Sequence, residues 1–303
     1  MGSEVSFAYD PGKRAAALRE ALPLRLRAAT NGLRSHLDPE AWRAAHASRL
    51  GYSEMVFAAD ALLRYAYMAH AADLREAAAF LASQVSLCGE QNEADPANET
   101  SFITVPAFHR AAAAVRWAHE GVLPLEPLKT AARIRDDGRT RRGGLQTVID
   151  DVPHSGGWQR SLALSFSADF VTRAVLGDWD WIDDVAQRGF LYLDALKAPS
   201  ADGLLILFCR RLGGCARGEH TTRDVNDART ALNRCVASWA DSVIAGQPWD
   251  ASVVLLFFCV YAFERVVNDR VPSVQEVTGA LLGETRSLTS KTVRRSLESP
   301  SGF

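Results

Sequence analysis

This chain has no apolar run of the roughly 18 residues that a membrane-spanning helix needs. The nearest, Ala251 to Phe263, is 13 residues long and is closed by Glu264-Arg265, so no membrane partner is expected. The opening, MGSEVSFAYD, carries neither a basic nor an apolar stretch, and no secretory signal is expected. Excess charge is missing too. Lys and Arg total 34 against 36 Asp and Glu, a formal net charge of −2. That balance argues against nucleic-acid or anionic-membrane binding driven by bulk electrostatics. Cysteine is sparse: five residues, an odd number, with no C-x-x-C pair. Four of them lie in apolar helical stretches, where a small buried thiol is the expected role, and the cytoplasm is the expected compartment.

The patterns that usually announce chemistry are also absent. There is no G-x-S-x-G, no strand-linked phosphate loop, no H-x-x-x-H and no H-E-x-x-H. The seven histidines are scattered. His109 and His119 fall on one predicted helix, but ten residues apart they point about 80° away from a common face. No cofactor is therefore expected, although a single axial haem ligand would leave almost no trace in a sequence. Gly213 to Gly218 joins helix to helix and reads as a helix C-cap and turn. The acidic pairs Asp136-Asp137 and Asp150-Asp151 lack a third carboxylate four residues on. Asn226 and Thr230 partly resemble the second metal motif of class I terpene cyclases, but Arg234 stands where the final acid belongs, and Asp224 is expected to cap this helix.

What the chain does have is helix. Five apolar stretches with helical spacing run into short polar breaks and are followed by a second such stretch. The breaks are His70-Ala71-Ala72-Asp73, His119-Glu120-Gly121, Gly177-Asp178, Gly218-Glu219 and Asn268-Asp269. Their spacing of roughly 40 to 55 residues is that of stacked helical hairpins. Ser101 to Val105 and Gln146 to Val152 are the only short β-prone runs, and neither has a hairpin partner. The expected fold is all-α, with stacked hairpins forming a compact bundle or short solenoid. Pro106 is expected to open one helix. Another is expected to end at Arg135-Asp136-Asp137-Gly138.

Residues 1–140 then form an N-terminal helical region, 141–157 a Gly- and Pro-containing linker, and 158–303 a C-terminal region of regular hairpins, with one continuous domain also possible. In that last region Trp158 to Leu176 pairs with Trp179 to Leu196, Ala201 to Leu212 with Thr222 to Ala245, and Trp249 to Val267 with Ser273 to Leu282. The tail beyond Glu284 is rich in Ser, Thr and Arg. Arg133, Arg135, Arg139, Arg141 and Arg142 read as a solvated basic stretch at the linker.

The densest cluster of chemical groups sits at one turn. Asp178, Trp179, Asp180, Trp181, Asp183 and Asp184 put four carboxylates and two indoles into seven residues. One reading is local: Gly177 ends a helix, Asp178 caps the next, acids favour its N-terminus and Trp packs inward. A second is an acidic, Trp-bearing patch for a protein partner. A third is a divalent-ion site, since residues 180, 183 and 184 would share a helix face.

Residues 155–285 resemble the all-helical immunity proteins of bacterial polymorphic-toxin systems, of the immunity protein 49 type and the immunity partners of PoNe-type DNases. Three segments carry the resemblance: Ser161-Leu162-Ala163-Leu164 leading through Leu176-Gly177-Asp178 into a second helix, Ala201-Asp202-Gly203-Leu204-Leu205-Ile206-Leu207, and Tyr261-Ala262-Phe263-Glu264. Cys259 and Val260 depart from the Gly and Tyr of that last step. The resemblance implies a protein that occludes a cognate toxin and does no catalysis. Its contacts are then expected at Asp178, Trp179, Asp180, Trp181, Asp183 and Asp184. Two other classes compete: a helical enzyme of specialised metabolism with a haem, metal or diphosphate cavity inside its bundle, and a helical-repeat scaffold.

Overall fold

The computed structural model describes residues 12–21, 24, 101–141, 156–183, 200–216, 220–246 and 252–281. These residues form nine helices and no strand, an all-α packing as expected. In chain order they are α1 (12–21), α2 (Ser101–Glu120), α3 (Glu126–Arg141), α4 (Gly156–Leu176), the single turn α5 (Trp179–Trp181), α6 (Ser200–Ala216), α7 (Thr222–Ile244), α8 (Ser252–Asn268) and α9 (Val274–Leu281). The expected break at His70 to Asp73, the run Gln146 to Val152, Gly218-Glu219, Asp184 and the tail from Glu284 lie outside the described residues.

Three helical pairs are recognisable: α2 with α3, α6 with α7, and α8 with α9. Each described break ends its helix by an identifiable device. Gly121 (φ +75°) returns its N–H to the Trp117 carbonyl. At Gly177 (φ +77°) the N–H donates to the Ala174 oxygen and the next N–H, of Asp178, to the Arg173 oxygen. That is the Schellman pattern, which a residue without Cβ adopts at no steric cost. Asp269 takes the same left-handed region (φ +46°) after α8, and Arg270 N–H closes back on the Glu264 carbonyl.

α4 and α8 are the central pair. Every residue from Phe166 to Val175 is buried, as is every residue from Val254 to Glu264. α8 is apolar all round because it has neighbours on all sides: α4, α6, α7, α2 and α9 pack against it. Phe257, Phe258 and Phe263 are among its fully buried side chains, and each contributes about 1.5–3 kcal/mol by leaving water. α7 is instead amphipathic. Ala228, Ala231, Leu232, Cys235, Trp239 and Val243 recur at helical spacing on its buried face. One continuous apolar core reaches from Leu18 in α1 to Leu281 in α9.

Four local expectations need correction. Ser101 to Val105 is helical, so Pro106 lies inside α2 and does not open it. Val105 and Pro106 are both buried, so packing outweighs the backbone hydrogen bond that Pro forfeits. α3 does not stop at Asp136-Asp137-Gly138 but runs to Arg141, with Arg133 and Asp137 paired across one turn at 3.6 Å. Gly213 and Gly214 belong to the interior of α6 and form no turn. Gly213 faces the Phe170 ring, where an added Cβ would lie 3.4 Å from the nearest carbon. Finally, Thr221 is the N-cap of α7 and Asp224 is the third residue of a reciprocal capping box, not the cap.

Candidate functional site

The turn that the sequence singled out hangs from the C-terminus of α4. Asp178 caps α5: its Oδ1 accepts the Trp181 backbone N–H at 3.4 Å, and its Oδ2 accepts Arg173 Nη1 at 2.6 Å. Trp181 turns inward and is only 8% exposed. Its ring lies 6.2 Å from that of Phe166, with the Arg173 guanidinium 5.4 Å over its face. Trp179 points the other way, 36% exposed, and Asp180 and Asp183 are exposed beside it. Ile182 and Asp183 continue the chain in a wider, π-type turn. Asp184 lies outside the described residues. The turn thus divides: Asp178 and Trp181 make its inner scaffold, while Trp179, Asp180 and Asp183 make its outer face.

Arg173 organises the inner side. Beyond Asp178 and Trp181, its Nη2 donates to the Asp136 carboxylate at 2.7 Å and to the Ala132 carbonyl at 3.1 Å, both on α3. One guanidinium therefore ties the turn to a helix 37 residues away in sequence. Burial alone would lower the affinity of Arg173 for its proton, but the bonds to Asp136 and Asp178 and the nearby Asp169 outweigh it and raise the pKa above the ordinary value. Such charge-assisted, forked bonds fix geometry as well as charge. From α8, Arg265 completes the surround: a Cβ built at Gly177 would lie 3.7 Å from Arg265 Nη2 and 3.9 Å from Trp179 Nε1.

Behind this lies a buried ionic cluster. Asp169, one turn before Arg173, is 1% exposed. Arg173 Nε stands 3.9 Å from one of its oxygens and Arg135 Nε 3.8 Å from the other. Arg110 of α2 is buried nearby, pushed down to about 10 by desolvation first, with Asp169 opposing and Arg135 reinforcing the shift. Sequence reasoning missed this cluster. It read Arg135 as part of a solvated linker and Asp136 as an isolated acidic pair. The available signal was an Asp and an Arg four apart, Asp169 and Arg173, the only charged residues between Leu162 and Leu176. A second was His109-Arg110 opening the run Ala111 to Ala114, all of it buried.

The remaining candidates are spent on local structure. Asn226 Oδ1 accepts Arg229 Nη1 at 3.1 Å, and Thr230 donates to the Asn226 carbonyl at 2.7 Å, all on the surface of α7. Among the described residues no three His, Cys, Asp or Glu side chains are gathered where they could hold a metal ion. The four described thiols are buried. Desolvation pushes Cys215 up to about 11 and Cys235 to about 12, and raises Cys209 and Cys259 as well. At neutral pH they stay protonated and unreactive. Comparisons with protein-family models, with curated proteins and with solved structures find no match to this chain.

Proposed function

We propose that this chain is an immunity-type protein that binds a cognate toxin protein in the cytoplasm and neutralises it by occlusion, without chemistry of its own. The observation that carries this reading is the outer face of the α4–α5 turn. It offers an exposed indole, Trp179, beside the exposed carboxylates Asp180 and Asp183, on a backbone held by Gly177 and Arg173. A large aromatic anchor inside a charged rim is the composition of an interaction hot spot. Because its backbone is already fixed, the turn loses little conformational freedom on binding. The acids steer a basic toxin surface toward the anchor, which raises the association rate more than the lifetime of the complex.

The test is co-expression with each protein encoded by the genes that flank this one, followed by binding measurements on any pair that co-purifies. Trp179→Ala is expected to cost about 2 kcal/mol or more, roughly thirtyfold in Kd. Reversing both charges in Asp180→Lys/Asp183→Lys is expected to slow association about tenfold at low salt and to weaken protection. Far-UV circular dichroism should be unchanged, since both acids face solvent. Full protection by both variants would remove this turn from the contact.

A further inference from the structure

Away from the Trp179 turn, a groove of about 540 Å³ runs along α7 between α1 and α6, a volume within the range of small-molecule sites. Its floor lies low because the α7 residues along it are small, Ala237 and Ser238 among them, and Leu204 of α6 lines it too. Arg14 of α1 reaches the Asp241 carboxylate there with a fork at 2.6 and 3.0 Å, so that acid is already neutralised. Arg234 differs. It lines the groove two turns before Asp241 and has no carboxylate or other acceptor among the described residues. Ser238 stands one turn on from it, on the same face of α7. The Ser238 carbonyl accepts the Ser242 hydroxyl at 3.1 Å, while its own hydroxyl makes no hydrogen bond among the described residues. The groove thus combines one uncompensated positive charge, a hydroxyl beside it and an apolar floor.

We propose that this groove binds a small organic monoanion, its oxyanion head on Arg234 and Ser238 and its apolar body over Ala237 and Leu204. A guanidinium presents parallel N–H donors at the spacing of a carboxylate's two oxygens, which gives the head an orientation as well as a charge. The guest carries one charge because Arg14 is already committed to Asp241 and only Arg234 is left to match it. The groove is open along one side, so the guest keeps a face in water. A ligand of about a dozen heavy atoms then binds with a Kd of about 1 mM. None of these residues belongs to the Trp179 turn or its supports, and the proposal is independent of what that turn binds.

The experiment is saturation-transfer NMR on the full chain at constant ionic strength, with 4-phenylbutyrate as the probe. 4-Phenylbutanol, which has the body without the charge, and acetate, which has the charge without the body, are the comparators. Phenylbutyrate is expected to show saturable transfer and to bind about tenfold tighter than either. Arg234→Gln removes the charge at an exposed position and is expected to weaken the probe about tenfold with far-UV circular dichroism unchanged. Ala237→Phe keeps Arg234 but fills the floor, and is expected to weaken it by a similar factor. Equal affinity for phenylbutyrate and phenylbutanol overturns the proposal, as does an unchanged Kd in Arg234→Gln. So does the absence of saturable transfer to the wild type. Binding that needs Arg234 but survives Ala237→Phe would mean a surface charge attracting the probe without the groove, and overturns it too.

Discussion

Arg173 is the residue on which most of the turn depends, because four groups share its one guanidinium: Asp136, Asp178, the Ala132 carbonyl and the face of Trp181. Arg173→Met would keep the packing volume and remove all of these. Asp136 and Asp178 are each about a third to a half exposed and can recover water, while Asp169 is 1% exposed and would lose one of its cations but keep Arg135 at 3.8 Å. The expected cost is therefore near the low end for a broken buried pair, about 3 kcal/mol. A lower urea midpoint at unchanged slope would show it, and a shift below about 1 kcal/mol would mean that Arg135 suffices to neutralise Asp169. The outer residues of this site were legible in the sequence because they are neighbours along the chain. Arg173 and Asp136 were not: they stand 37 positions apart, and only the packing of α3 against α4 makes them partners.

At the scale of elements, the α8–α9 junction is where protonation matters. Ser273 and Glu276 form a reciprocal cap at the start of α9, with the Ser273 N–H donating to Glu276 Oε2 at 2.8 Å and Glu276 N–H to Ser273 Oγ at 3.2 Å. Arg270 bridges this carboxylate to the buried Glu264. The Ser273 N–H first, then Arg270, hold Glu276 below the usual carboxylate range. A depressed folded pKa stabilises the fold above the unfolded value, about 4.3, and that contribution disappears as pH falls through the folded value. Glu276 is 46% exposed, so solvent screening keeps the contribution under about 1 kcal/mol. Glu276→Gln is accordingly expected to be less stable than wild type at pH 6 and to lose less on acidification from pH 5 to 3. Urea midpoints across that range would show it, and parallel curves would exclude this role for Glu276.

Most helix ends were readable from residue type, since Gly121, Gly177 and Asn268-Asp269 mark backbone conformations that few residues adopt cheaply. Where reading by residue type misplaced an end, at Pro106, Gly138 and Gly213-Gly214, the helix continues through a residue that usually breaks one. Tertiary contacts account for this. Buried Val105 and Pro106 anchor the first turns of α2, Arg173 grips α3 at Ala132 and Asp136, and Phe170 fills the space a side chain at Gly213 would need.

For the molecule as a whole, the apolar core that joins Leu18 to Leu281 has consequences for cooperativity. Leu18 is 1% exposed, and α1 is pinned to α7 through Arg14, whose Nε and Nη2 reach the Asp241 carboxylate at 2.6 and 3.0 Å. Leu18→Ala should cost about 2–5 kcal/mol. The loss is expected to appear as one earlier transition, coincident by near- and far-UV circular dichroism, since no described helix has a core to itself. Two separated transitions, with only the first moved, would show that α1 unfolds independently of α8 and α9.

The buried thiols give this chain a clock. Cys209 and Cys259 are 0% exposed and Cys235 is 8% exposed, and they sit on α6, α8 and α7, the helices around the centre. A thiol reagent in excess can modify them only when those helices part. Peptide-resolved labelling would then time the separation of each helix from its neighbours under native conditions. If the three react at one common rate, the core opens as a unit. If Cys235 runs ahead, α7 leaves first.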